Sequence, residues 1–571
     1  MIAEAQSAAA QGLQGSKMSG GTTGRIRDPR RDAQILQTVE AAVNAGEIPK
    51  AVALARDALA GGLGHSLLFN LRAYWFEEQG RNDEALADLG NAVALAPDDP
   101  LIQNSYGLCL TKLDRWQEAI AAFQAAVRLK PDFPHAHFNL GWALERVGEL
   151  ELARQCFARA NEIDPGSAEP IARLAALAAR RADWDEADET ANRALAIDPK
   201  QALAATAQIN VRIARRDYDQ ALSLIERLLG DQATPPYERT VTLSLLGDLR
   251  HAQGRYSEAL EAYSQSNQER RKIFAPRYEA PGTESAYSYV QWLIEYFETA
   301  AAEKWTAAGG ISAAAGGGTA THAFLVGFPR SGTTLLENVL ASNPAIVSLE
   351  EKEVLVDSVR AFLANERGRD RLETLGGEEL EKYRRLYWTR VEQHGVNVAG
   401  KVFVDKQPLT SIKLPVIVKL FPGAKILFAI RDPRDVVLSC FRRQFMLNPS
   451  MYEFLTIEGA ARFYAAVMHL SALYREKFGL AWHVVRHESV VDDFEAETGK
   501  VCDFLGVEWT EEMRQFTQRA KARPIATPSA VQVARGLNRE GVGQWRNYAK
   551  ELEPALPFLK PWIEQFGYPP D

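Results

Sequence analysis

The stretch AFLVGFPRSGTTLL, Ala323 to Leu336, decides how the chain is read. Its short apolar start has the character of a buried strand, and the loop GFPRSGTT runs straight into a helix expected to begin near Thr333. Gly327 and Gly332 hold the two glycine positions of the nucleotide-binding pattern GxxxxGK(S/T), Thr334 holds the hydroxyl position, and Thr333 stands where the lysine belongs. Backbone N–H groups and the helix dipole still favour an anion at this place, so Ser331, Gly332, Thr333 and Thr334 are candidates to wrap a phosphate, with Arg330 as the local cation. Without the lysine, the outer phosphates of ATP or GTP lose their main counter-charge, and the group beyond the first phosphate need not be a phosphate. The plain alternative is a glycine turn with no ligand.

A second strand-loop-helix unit follows. KILFAI, Lys425 to Ile430, is a short apolar run that stops at Arg431 in RDPRDVVLSCFRRQF, where Pro433 suits the first turn of a helix. Ser439 lies eight residues beyond Arg431, about two turns along that helix. Arg431, Asp432, Arg434 and Asp435 also read as a solvated ion-pair cluster capping the helix.

The first half of the chain obeys a different rule. Pro97, Pro131, Pro165 and Pro199 are spaced by 34 residues, and Ala51, Ala85, Ala119, Ala153, Ala187 and Ala221 keep the same interval, the tetratricopeptide (TPR) period. Gly46, Gly80 and Gly148 precede these alanines by five residues, Gly107 and Gly141 fill the small position of the first helix, and Phe123 and Phe157 fill large positions. A helix pair cannot bury its apolar face alone, whereas six or seven stacked pairs build a continuous core. After Ala221 the frame slips by four residues, and Gly247, Gly254 and Ala259 mark a seventh repeat after an insertion near Thr234 to Tyr237. Helices from about Pro276 to Lys304 are expected to join this array to the next domain. Such arrays present a concave surface to a peptide or another protein; the same array also suits a rigid support or a homodimer surface.

PRSGTT and RDPRDVVLS resemble the 5′-phosphosulfate loop and the 3′-phosphate segment of sulfotransferases, which use 3′-phosphoadenosine 5′-phosphosulfate (PAPS). Over almost the whole chain the resemblance is to bacterial TPR-containing sulfotransferases and, around the site, to tyrosylprotein sulfotransferases. It implies that Arg431 and Ser439 hold the 3′-phosphate. Glu351, 21 positions after Arg330, falls on the catalytic base, with Glu350 matching beside it. Lys406 in FVDKQP falls on the lysine that contacts the phosphosulfate bridge, and Ser529 in TPSAVQV on the serine that assists the leaving phosphate. GVGQWRNY, with Trp545, resembles the closing segment of the bacterial members, and Arg539 in the same tail is a candidate for the 3′-phosphate. The chain departs from the pattern at VVRHESV, where His487 replaces a tyrosine. Small-molecule sulfotransferases use a histidine base, which makes His469 and His487 competitors to Glu351, each with the plain alternative of a packing or surface histidine.

The chemistry so implied is electrostatic. Transfer of a sulfuryl group leaves negative charge on the bridging oxygen, to be met by Arg330, Lys406 and Ser529, while Glu351 takes the acceptor proton. No metal is required. SLEEKEVL also reads as a helix start, with Ser348 as N-cap and Glu351 closing a capping box. The acceptor is left open between a tyrosine in a polypeptide held by the repeats and a small-molecule or carbohydrate hydroxyl. Rivals are a P-loop kinase or NTPase, and an inactive domain on a repeat scaffold.

The expected architecture is a TPR α-solenoid followed by a P-loop-type α/β domain with a parallel sheet. Its strands would be Ala323 to Gly327, Val402 to Asp405, Lys425 to Ile430 and His483 to Arg486, with ligand at their carboxyl ends. Residues 1–30 read as a disordered leader, 31–270 as the repeats, 271–318 as connecting helices with a Gly/Ala-rich linker, and 319–571 as the sulfotransferase domain. A net charge of −8 argues against bulk attraction to nucleic acid or acidic membrane, so the anion site must be local. Four scattered cysteines show no metal spacing and are expected as free thiols, and no apolar run has the roughly 18 residues of a membrane span. The cytoplasm is the expected compartment.

Overall fold

A computed structural model describes residues 28–305, 318–522, 533 and 536–570. Residues 1–27 of the expected leader and Ser529 fall outside the described residues, as does nearly all of the Gly/Ala-rich linker; Pro29 and Arg30, the leader's last two residues, already open a helix. The chain forms two compact units, one ending at Ala207 and one beginning at Gln208, with Ala179–Trp184 counted in the second.

Seven helix pairs account for the described residues up to Tyr278, from Pro29–Asn44 with Ile48–Ala60 to Pro236–Ala252 with Tyr256–Tyr278. The periodic alanine of each pair, Ala51, Ala85, Ala119, Ala153, Ala187, Ala221 and finally Ala259, is fully buried. The small residue of the first helix receives a ring of the second. A Cβ on Gly107 would stand 2.5 Å from the Phe123 ring, and one on Gly141 would stand 2.8 Å from Phe157.

The turn inside each pair is left-handed. Gly46, Gly80, Gly148 and Gly254 have φ of 73°, 71°, 81° and 75°, and where the sequence departs from glycine the conformation persists, at Asp114 (56°), Ala182 (59°) and Arg216 (61°). Three repeats therefore carry a Cβ where the backbone favours none.

The second unit holds a five-stranded sheet in the order β2-β3-β1-β4-β5, with all four pairings parallel. The strands are β1 (Thr321–Gly327), β2 (Ile346–Glu350), β3 (Val402–Lys406), β4 (Lys425–Ile430) and β5 (Ala481–Arg486). Alternation of side chains divides the core in two. Phe324, Val326, Phe403, Ile426 and Phe428 face one cluster, and Ala323, Leu325, Val402, Val404 and Leu427 face the other. β1 lies at the centre, and a Cβ on its last residue, Gly327, would stand 2.5 Å from the carbonyl oxygen of Ala429 on β4.

Two expectations need correction. Ile346–Glu350 is a strand, and Ser348 caps no helix: its hydroxyl donates to Glu337, and the next helix starts only at Val356. Of the joining helices expected from about Pro276 to Lys304, Ala286–Thr299 and Ala302–Lys304 are present, but Pro276 itself lies in the last turn of the long helix Tyr256–Tyr278.

That long helix is joined to the sheet domain by hydrogen bonds. Asn267 donates to the Phe441 carbonyl at 2.9 Å, Arg270 to Phe445 at 2.5 Å and Tyr278 to Leu447 at 2.9 Å. Tyr263, Leu438, Phe441, Trp545 and Tyr548 form one buried cluster that unites the last helix pair, the helix Pro433–Arg442 and the C-terminal segment.

Relief of the left-handed turn gives a direct test. Ala182→Gly should stabilise the protein by about 0.5–1 kcal/mol, a rise in melting temperature of roughly 1–4 °C. An unchanged or lower melting temperature would show that this turn stores no strain.

Candidate functional site

Parallel register brings the site together. Glu350, the last residue of β2, is paired with Lys406, the last of β3, and Gly327, the last of β1, with Ala429 near the end of β4. The loops that follow β1 and β4 therefore leave the sheet along one edge.

The loop after β1 turns through Arg330 (φ 71°) and Gly332 (φ 93°) and enters the helix Thr333–Leu340. Its N-cap residue is Gly332, which brings no side chain to cap it, and the first N–H groups of a helix are those that an anion can meet. Arg330, Ser331, Thr333 and Thr334 are buried.

The loop after β4 supplies the second half. Arg431 donates from Nη1 to the carbonyl oxygen of Arg330 at 3.2 Å and from Nη2 to the carbonyl of Gly541. Its Nε is buried without a hydrogen-bond partner among the described residues. Arg330 donates from Nε to Oγ of Ser439 at 2.9 Å. Two segments about a hundred residues apart in sequence thus meet in one cradle. Burial first, and then the charges of Arg443 and Arg431, pull the Arg330 guanidinium down to about 9. A cation crowded by cations in a desolvated place is one that an anion would relieve.

The other charges of RDPRD are structural. Asp432 caps the helix Pro433–Arg442 through the Arg434 N–H at 3.0 Å, and its own N–H donates to Glu488 at 2.9 Å. Arg434 lies 3.6 Å from the Trp545 ring and donates to the Pro569 and Pro570 carbonyls at 2.7 and 2.8 Å. Asp435 accepts from the N–H groups of Gly543 and Trp545 at 2.6 and 2.9 Å. The cluster is buried rather than solvated, and it draws the C-terminal segment over Arg431.

Beside the cradle lies a cation held by carboxylates. Nζ of Lys406 is fully buried and donates to Glu351 at 2.8 Å and to Glu350 at 3.4 Å. Burial works to lower this ammonium, but Glu351, Glu350 and Glu337 outweigh it and hold it above the ordinary lysine value. Glu351 follows β2 with φ of 46°, and its N–H donates to the Lys406 carbonyl at 2.7 Å. Glu351 is half-exposed while Glu350 is buried, so of the two Glu351 is the one a ligand can reach.

The remaining candidates separate. His487 stands just after β5, and a Cβ on Gly332 would meet its Nδ1 at 2.6 Å, so the imidazole is packed against the loop. Burial, then the charges of Arg431 and Arg330, lower it to about 3. His469 is exposed and lies 3.3 Å from Glu298. Arg539 is exposed and ion-paired with Asp492. Glu337, which sequence reasoning passed over, is buried in the loop helix; its signal was a carboxylate amid the apolar run of TTLLENVL.

His487 makes acid stability measurable. Its folded value of about 3 lies below the ordinary value of 6.5, so the unfolded chain binds the extra proton and stability is lost as pH falls from about 6.5 toward 3. His487→Gln should therefore flatten the decline of melting temperature between pH 7 and pH 5; an unchanged slope would mean that the ring is not held neutral.

Residues 323–511 match the family model described as Sulfotransferase family, and residues 36–100, 70–132, 110–168 and 206–269 match Tetratricopeptide repeat. Among curated proteins the chain is 23% identical over 259 residues to an uncharacterized protein of Aquifex aeolicus, covering 43% of this chain and 33% of that protein. It is 24% identical over 265 residues to a protein-tyrosine sulfotransferase of Drosophila melanogaster, covering 43% of this chain and 51% of that one. The matches thus span a third to about half the length of these relatives. Among solved structures, a tetratricopeptide repeat protein of Parabacteroides merdae aligns with 42% of this chain and 93% of its own at 16% identity and a TM-score of 0.34. No helix among the described residues is long and apolar enough to cross a membrane. The chain joins a tetratricopeptide repeat region to a domain of the sulfotransferase family.

Proposed function

We propose that the chain transfers a sulfuryl group from PAPS to an acceptor hydroxyl, and that the acceptor is a tyrosine of a polypeptide. The observation that carries the reading is the meeting of Arg330, Arg431 and Ser439 in one buried cradle, with Lys406 and Glu351 at the ends of the neighbouring strands. A helix start with glycine at its N-cap, and an Arg431 Nε without a hydrogen-bond partner among the described residues, fit a ligand with two anionic ends. The absent loop lysine argues against the outer phosphates of ATP.

PAPS supplies the activated sulfuryl group. Arg330 and the backbone from Ser331 to Thr334 hold its 5′-phosphosulfate, and Arg431 and Ser439 hold its 3′-phosphate. Glu351 accepts the proton of the acceptor hydroxyl as that oxygen bonds to sulfur. Lys406 meets the electron pair left on the phosphate oxygen when its bond to sulfur breaks. Ser529 is assigned to the same leaving oxygen by resemblance. Arg539 is a candidate for the 3′-phosphate that would first have to leave Asp492. The tyrosine acceptor is supported by the names of the relatives in fly, worm and chicken, and by the repeats as a means of holding a peptide.

Incubation with radiolabelled PAPS and two acceptor panels, tyrosine peptides and small phenols or sugars, tests the reading. Label should pass to peptide tyrosine, and Glu351→Gln should reduce the rate by about 10²- to 10⁴-fold. Label on small hydroxyls alone would overturn the acceptor, an undiminished Glu351→Gln rate would overturn the base, and no transfer to any hydroxyl would overturn the reading.

A further inference from the structure

Glu351 is held in a conformation that a residue of its type does not favour. β2 is an edge strand paired only with β3, and the pairing runs one bond past its last residue, from the Glu351 N–H to the Lys406 carbonyl at 2.7 Å. There the backbone turns left-handed, with φ of 46° at a residue that carries a Cβ. Such a conformation persists only where its surroundings over-determine it. The next helix opens at Val356, so residues 351–355 are held by contacts outside regular structure. Val354 and Leu355 anchor the far end of this segment in the core.

Between those anchors stands a polar cluster that the proposed chemistry leaves unused. Gln407, the residue after Lys406, donates from Nε2 to Oε1 of Glu353 at 2.6 Å, and Lys413 donates from Nζ to Oε2 at 2.7 Å. The other end of the Gln407 amide is fixed as well, because its Oε1 accepts from Thr410 Oγ1 at 2.9 Å and from Lys413 Nζ at 3.3 Å. Thr410 and Lys413 belong to the short helix Pro408–Lys413, which starts directly after Gln407. Both oxygens of Glu353 and both ends of the Gln407 amide are thereby engaged. The cluster joins the chain two residues beyond Glu351 to the chain one residue beyond Lys406, and so spans the same gap as the ion pair between Lys406 and Glu351 at 2.8 Å.

Exposure separates two uses of such a cluster. The Glu353 side chain is 59% exposed and that of Lys413 19%. An ion pair so placed adds little to the stability of a fold. Placement of a reacting group is a different matter, since an error of about 1 Å can cost on the order of 10²-fold in rate.

We infer that Glu353 is a positioning residue, which through Gln407 and Lys413 clamps the turn at Glu351 and keeps the proposed base beside Lys406. This inference rests on the sulfuryl-transfer reading. Glu353 touches neither donor nor acceptor in it. It acts on the end of β3 through Gln407 and on the end of β2 through the turn.

The test compares wild type, Glu353→Ala, Gln407→Ala and the double variant in three measurements. These are label transfer from radiolabelled PAPS to whichever of the tyrosine peptides, phenols and sugars wild type labels, calorimetric binding of 3′-phosphoadenosine 5′-phosphate (PAP), and thermal unfolding. Each single variant should lower kcat by about 10- to 100-fold, with PAP affinity close to that of wild type and a melting temperature within roughly 2 °C of it. The double variant should fall no further than the slower single one, because one clamp is lost only once. A near-wild-type kcat in Glu353→Ala, losses that multiply in the double variant, or a PAP affinity or melting temperature that falls along with kcat would overturn the inference. Absence of transfer by wild type to any of the hydroxyls would instead overturn the sulfuryl-transfer reading beneath it. Should Glu353→Ala not fold, Lys413→Ala takes its place in the same comparison.

Discussion

Arg431 reaches the carbonyl oxygen of Arg330 while Arg330 reaches the hydroxyl of Ser439, and the site depends on that crossed contact. It joins two strand-loop-helix units that have no local reason to meet, and it does so only because β1 and β4 are parallel neighbours. The arrangement is costly in two ways. Arg330 adopts a left-handed backbone, and it is buried beside other cations. Strain and like charge concentrated at one loop are characteristic of a place built for a ligand, because a bound anion offsets the electrostatic part of the cost.

The crossed contact is buttressed from behind. The C-terminal segment places the Gly541 carbonyl on Arg431, and Asp435, Arg434 and Trp545 hold that segment down. Tyr548 in the same segment bonds His251 of the last helix pair at 2.8 Å. Asn267, Arg270 and Tyr278 extend the support along the loop after Pro433–Arg442. The seventh helix pair therefore belongs to the scaffold of the site as much as to the repeats.

What the sequence made legible follows from locality. The period of 34 residues and both phosphate-type loops are written in neighbouring residues, because glycine turns, helix starts and apolar runs are local devices. β2 escaped because it is a five-residue edge strand paired only with β3, and its SLEE stretch satisfies a helix-cap pattern equally well. Arg434 and Asp435 were legible as an ion cluster but not as the anchor of a tail more than a hundred residues away. The place of Glu337 was hidden for the same reason: its partner Ser348 lies on β2, the next strand along the chain. The left-handed turns at Asp114, Ala182 and Arg216 were hidden by non-glycine residues, although the glycines of sister repeats marked the position.

The central claim is that the cradle formed by Arg330, Arg431 and Ser439 binds a 3′,5′-phosphorylated adenosine and not a nucleoside triphosphate. Thermal unfolding with PAP and with ATP, for wild type and Arg431→Ala, measures it most directly. The account predicts stabilisation of wild type by PAP, of about 2.7 kcal/mol at a hundred times the dissociation constant, with the effect lost in Arg431→Ala and little response to ATP. A larger shift with ATP than with PAP, or a PAP shift that survives in Arg431→Ala, would contradict it.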